Sequence, residues 1–194
     1  KIVARKDGAP LSSLKLQAPL RRPGKCLAAY VNYLDKPERT IDNLPMEFFY
    51  KNPQLLAPED TVELLDIPAV TLFHAEAELA YVIGKEAGNV TKEDAMNYVF
   101  GYVPFFDVSA RGLTRSTLFL AKGQATYGPC GPWITTKDEI KDPYNLSVKS
   151  WINGQLRQNY NTKDMAHKID GQIVWLSRFL RLQPGDVIST GTHH

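Results

Sequence analysis

The chain has 194 residues, 43% of them hydrophobic and 23% charged, with a formal net charge of +2. That suits one globular domain with a small N-terminal appendage, and the balanced charge gives no strong field for nucleic acid or a membrane surface. No apolar stretch reaches the ~20 residues a bilayer-spanning helix needs, and the opening KIVARKDGAP lacks the apolar run of a secretory signal. Cys26 and Cys130 have neither CxxC spacing nor the density of a disulfide scaffold, so they read as free thiols of a cytoplasmic protein.

Residues 1–24 are polar and proline-spotted, and RRPGK leads from them into a strand, CLAAYVNY (26–33). Residues 34–60 are rich in Pro, Asp, Asn and Glu around one aromatic knot, MEFFY (46–50); so long an irregular stretch is expected to act as a lid. DIPAVTLF and HAEAELAYVIG read as two strands. Thr91, with Asp94 three residues on, predicts a short helix over about 92–99. YVPFFDVSA (102–110) is strand-like, and Pro129, Gly131 and Pro132 punctuate the entry to another short strand, WITT. In SVKSWINGQLRQNYN, Asn153-Gly154 between alternating runs predicts a two-residue hairpin with a type I′ turn. Ile173, Leu176 and Leu180 carry helical spacing over 170–182, stopped by Gln183-Pro184-Gly185, and VISTGT closes as a strand. Many short strands and two helices mean a β-rich α+β fold. No GxGxxG or P-loop is present.

Glu76 and Glu78 sit two apart on a strand, so both point to one face and repel each other. Either that face is wet, or a hard cation gathers the carboxylates. Asp107, in FFDVSARG, is an acid among apolar neighbours and needs a partner. Arg111, four residues on, is one candidate; a cation shared with Glu76 and Glu78 is the other. Three carboxylates suit Mg²⁺ or Mn²⁺, whereas zinc asks for His or Cys, and no paired His spacing exists.

EAELAYVIG, FGYVPFFDVSARG, the lysine before GPCGPW, NTKDMAHKI and LQPGDVISTGT occur in that order, and together they resemble the fumarylacetoacetate hydrolase family from about Lys25 onward. The resemblance implies a mixed β-sheet roll of the family's C-terminal domain type around a central cleft. Residues 1–24 would be a connector or the remnant of a small N-terminal domain, and 25–194 the catalytic domain, lacking its last strands. It implies Mg²⁺ or Mn²⁺ on Glu76, Glu78 and Asp107, a small 2-oxo or β-diketo acid as substrate, and a homodimer. By the same resemblance Lys122 is catalytic, adding positive charge beside the reacting oxygens, and Thr192 contacts the substrate carboxylate. Arg111 either orients the Asp107 region or adds charge. Tyr33 and Phe49 are candidates to line the cleft from the lid side, with plain packing the commoner fate of such residues. His167 reads as structural, and Trp151 and Trp175 as core or interface aromatics.

The departures bear on mechanism. Hydrolytic members carry a His and a Glu after the Asn-Tyr pair; in NYLDKPERT, Lys36 and Arg39 stand there, leaving Glu38 as the nearest acid or base. Thr114 replaces a Gln of some members, and in KGQAT Ala125 replaces an Asp. The expected reaction is C–C bond cleavage, by hydrolysis or decarboxylation, through an enolate that the cation stabilises. The alternatives are a tautomerase or hydratase, or a non-catalytic metal- and ligand-binding protein.

Overall fold

Two long antiparallel strands form the spine of the computed structural model, which describes residues 8–113 and 118–194. In chain order the strands are β1 (Cys26–Ala29), β2 (Phe48–Tyr50), β3 (Leu72–Ile83), β4 (Val99–Arg111), β5 (Thr135–Thr136), β6 (Ser147–Ile152), β7 (Gln155–Asn161) and β8 (Val187–Ser189). The helices are α1 (Phe119–Lys122) and α2 (Ile169–Phe179), with short 3-10 turns elsewhere. Six strands make one sheet in the order β2-β1-β8-β3-β4-β5, and β6 and β7 form a separate hairpin. Among these six strands β1 and β8 pair in parallel and the other neighbours antiparallel, so the sheet is mixed and the fold is β-rich α+β.

The pleat gives the sheet two distinct faces. Leu79, Tyr81 and Ile83 of β3 point with Tyr102 of β4 and Ile188 of β8 into a core closed by Ile169, Ile173 and Leu176 of α2. Ala80 and Val82 point the other way, with Val103, Phe105 and Val187, into a second cluster. The cross-strand pairs Glu76–Asp107, Glu78–Phe105 and Ala80–Val103 share that second face. Ala18 and Leu20 from the N-terminal segment also pack there.

Several elements differ from their sequence reading because tertiary partners claim the backbone. The two runs at 66–83 are a turn followed by one strand, since Val70 donates back to the Ile67 carbonyl (3.0 Å) and β3 begins only at Leu72. β1 stops at Ala29: the Asn32 side chain donates to the Thr190 (2.8 Å) and His167 (3.1 Å) carbonyls and takes the His167 amide (2.7 Å) in place of a ladder. The expected helix over 92–99 shrinks to a 3-10 turn, Ala95–Tyr98, whose last carbonyl receives the Gly84 amide (2.7 Å). α2 ends at Phe179 because Leu182 exchanges two backbone bonds with Ala87 (2.9 Å each). The stretch expected to be a lid is pinned at its centre, where β2 pairs with β1. The hairpin turn is as predicted, with φ of 51° at Asn153 and 77° at Gly154. Trp151 is exposed rather than core, and His167 is structural, its Nε2 2.7 Å from the Leu44 carbonyl. Both cysteines are free and buried.

At Gly101 a Cβ would lie 2.4 Å from the Thr135 carbonyl oxygen and 2.8 Å from Ile134 Cγ2. β5 can approach β4 only because that position lacks a side chain. Gly101→Ala is expected to destabilise the domain by about 1–3 kcal/mol, the usual cost of overpacking, measured by urea denaturation.

Candidate metal and substrate site

Glu76 and Asp107 face each other across β3 and β4, and Glu78 follows two residues along on the same face. All three are buried, at 3%, 1% and 4% exposure in the order Glu76, Asp107, Glu78. One oxygen of each lies within 4.8 Å of the others. Water therefore does not resolve the repulsion. Three cations are brought in from separate elements instead. Lys122 Nζ at the end of α1 lies 2.7 Å from Glu76 Oε2 and 2.6 Å from Asp107 Oδ2. Lys51 Nζ, just beyond β2, lies 2.7 Å from Asp107 Oδ1 and donates to the Val108 carbonyl at 3.2 Å. Arg111 closes β4 with a 2.5 Å contact to Glu76 Oε1. Glu78 has no ion-pair partner among the described residues; Ser189 Oγ and the Gly191 amide (3.1 Å) donate to its Oε2.

These partners split the carboxylates. Burial pushes Glu76 up, but Lys122 and Arg111 outweigh it and hold the group at about 2. Burial, with the charges of Asp107 and Glu76, pushes Glu78 up to about 8 against the Ser189 hydrogen bond. Burial works against the Lys122 charge, yet Asp107 and Glu76 keep its pKa above the ordinary lysine value. Burial holds Lys51 below its ordinary value in spite of Asp107.

The donor set fits a hard divalent cation. It is three carboxylates with converging oxygens, has no thiolate or imidazole among them, and contains one member, Glu78, without a counter-charge. Glu76, Arg111 and Lys122 also line a cleft of about 220 Å³ together with Tyr30 and His194.

The structure thus gathers Glu76, Glu78, Asp107, Lys122 and Arg111. Phe49 joins them, with Lys122 Nζ 4.9 Å from its ring centroid. It does not bring in Glu38, which is exposed on its loop. Tyr33 is fully buried with its ring edge-on to Tyr160 (5.1 Å), so it packs the core and is not among the residues that line this cleft. The Thr192 hydroxyl is occupied, donating to the Ala77 carbonyl (3.0 Å) and accepting from Gln158 (2.8 Å). Thr114 lies outside the described residues, and Ala125 is exposed. Sequence reasoning missed Lys51, Ser189 and His194. For Lys51 a signal existed: in EFFYKN it alternates with Phe49, which puts both on one face of an extended segment. Ser189 and His194 lie on either side of the TGT motif, in which the resemblance singled out Thr192 alone.

A model of the fumarylacetoacetate hydrolase C-terminal domain matches residues 23–194. The chain belongs to the fumarylacetoacetate hydrolase family. Among curated relatives it is 37% identical, over 188 residues, to the mitochondrial oxaloacetate tautomerase fahd2 of Xenopus laevis, covering 93% of this chain and 58% of that one. It is 36% identical to the 4-hydroxyphenylacetate degradation bifunctional isomerase/decarboxylase of Salmonella dublin, covering 90% of this chain and 42% of that one. Among solved structures it resembles the maleylpyruvate hydrolase of Sphingobium sp. SYK-6 in complex with manganese(II) and pyruvate. There the TM-score is 0.83 and the identity 40%, over 94% of this chain and 65% of the other. The chain spans less than two thirds of the length of these relatives.

Two outcomes follow for the metal-free protein. Unfolded Glu78 loses its proton near 4.5 and folded Glu78 near 8, so the folded state binds the extra proton between them and stability falls as pH rises through that window. Glu78→Gln removes the dependence. Its stability relative to wild type is expected to climb by about 1.4 kcal/mol per pH unit across the window, read from denaturation curves at pH 5 to 8. Lys51→Met strips a fully buried counter-charge from Asp107 and is expected to cost about 3–5 kcal/mol in the same assay.

Proposed function

We propose that this domain carries out metal-dependent chemistry on the enol form of a 2-oxo or β-diketo acid, and that keto–enol tautomerisation is the reaction its geometry supports best. The observation that carries the reading is the pairing of a buried three-carboxylate cluster with a loop that offers it no water-activating pair. Lys36 and Glu38 are exposed, and Arg39 is committed to Asp35. Hydrolysis of a C–C bond needs a base to activate water. Tautomerisation needs only a stabilised enolate and a proton carrier. The similarity to an oxaloacetate tautomerase supports the same choice.

In this reading Glu76, Glu78 and Asp107 hold Mg²⁺ or Mn²⁺. When bound, the cation would supply Lewis acidity. Lys122, charged and buried beside Glu76 and Asp107, places a second positive charge where negative charge develops. Arg111 offers the cleft a guanidinium for a substrate carboxylate, while its bond to Glu76 fixes its position. Thr192 acts on the site from behind. With Gln158 it ties the segment after β8 to β3 and so holds the Gly191 amide against Glu78. Lys51 anchors Asp107 from the side away from Lys122.

Decarboxylation is the second reading. It passes through the same enolate without an activated water, and the isomerase/decarboxylase relative favours it.

The test is calorimetry with Mn²⁺ and oxalate, an enolate mimic, followed by assay with oxaloacetate. Metal-dependent oxalate binding is expected in wild type and is lost in Glu78→Ala. The enol absorbance of oxaloacetate is expected to decay faster than in buffer with no matching release of pyruvate. Pyruvate appearing in step with enol loss would move the assignment to decarboxylase. A folded wild type that binds no metal overturns the reading.

A further inference from the structure

A tautomerase must carry a proton between carbon and oxygen, and among the described residues the cleft offers five titratable side chains for it: Tyr30, Glu76, Arg111, Lys122 and His194. Arg111 and Lys122 are cations committed to Glu76, and Glu76 is held by both. His74 stands nearby but faces the same carboxylate, its Nδ1 3.5 Å from Glu76 Oε1. His194 differs. Its backbone amide donates to Asp35 Oδ2 at 2.8 Å, and Arg39 holds the other Asp35 oxygen. The residue is thereby fixed at the mouth of the cleft, while its imidazole makes no hydrogen bond or ion pair among the described residues.

We propose that His194 is the proton carrier of this site, doing the work that the loop residues Lys36, Glu38 and Arg39 do not. The proposal rests on the tautomerase reading. In the keto-to-enol direction, one ring nitrogen takes the proton from the carbon next to the keto group. The C–H electron pair becomes the C=C bond, and the carbonyl π pair moves onto oxygen. The imidazolium then returns its proton to that oxygen, so the enol forms with no net gain or loss. The groups facing the ring come from four elements: Glu76 of β3, Arg111 of β4, Lys122 of α1, and Asp35 and Arg39 of the loop after β1. Burial, with the charges of Arg39 and Lys122, outweighs Glu76 and Asp35 and holds the ring below the ordinary imidazole value.

The experiment compares wild type, His194→Gln and Tyr30→Phe with oxaloacetate and Mn²⁺, following enol absorbance by stopped flow, with Mn²⁺ and oxalate binding measured in parallel. His194→Gln is expected to lose roughly 100-fold or more in kcat, the usual weight of general acid–base catalysis, with metal and oxalate affinity unchanged. The wild-type rate should fall at acid pH as the imidazole protonates, and that limb should be missing in the variant. A His194→Gln rate within about threefold of wild type, or a loss confined to Tyr30→Phe, overturns the assignment and leaves the metal-site reading standing. A wild type that binds Mn²⁺ and oxalate yet moves no enol overturns the assignment and the tautomerase reading together.

Discussion

Three carboxylates buried on one face of two paired strands are the constraint around which this domain is arranged. Removing even one such charge from water costs several kcal/mol, and three together repel. The chain answers with cations from three places far apart in sequence: Lys51 after β2, Arg111 at the end of β4 and Lys122 at the end of α1. Each is held by position rather than by propensity. Lys51 reaches Asp107 because β2 is paired at the sheet edge beside β1, and Lys122 because a single helical turn delivers it between two oxygens. Glu78 is left with a hydroxyl and an amide for partners, and that shortfall is what a divalent cation would make good.

The division of the sheet into two faces makes this affordable. One face is sealed by α2 with large apolar side chains, and it supplies most of the hydrophobic stabilisation. The other carries small and medium residues near β8, Ala80, Val82 and Val187, and then turns polar toward Glu78 and Glu76. Period-two alternation lets a single strand, β3, serve both purposes. The apolar contacts of Leu79, Tyr81 and Ile83 hold the register that sets Glu76 opposite Asp107, so core packing and site geometry are the same fact seen from two sides.

Reaction choice then depends on proton management rather than on the cation site. Hydrolysis, decarboxylation and tautomerisation share an enolate, and the carboxylate cluster serves all of them. What separates them is whether a base can reach a water, a carbon or neither. The loop after β1 turns Arg39 onto Asp35 and leaves Glu38 in solvent, so the loop itself supplies no base to the cleft. The same Asp35 fixes the backbone of His194, so loop and cleft mouth are parts of one construction.

Residue patterns alone carried the fold class, the hairpin at Asn153-Gly154, the E-x-E pair on one strand face, and Asp107 as the acid that needed explaining. All of these are local: alternation, turn chemistry and an ionisable residue in an apolar run are visible within a dozen positions. Arg111 was legible from its place four residues after Asp107, whereas Lys122 was legible only through the ordered motifs of the family. What the tertiary structure alone decided was which cation meets which carboxylate. It excluded Tyr33 and Glu38 from the cleft beside Glu76, committed the Thr192 hydroxyl to β3, and revealed Lys51, Ser189 and His194 bonded to residues up to 159 positions distant in the chain. The physical reason is that charge compensation in a buried site is a matter of ångströms in space. Strand pairing and loop closure set those distances, and neither is written in the local pattern of residues.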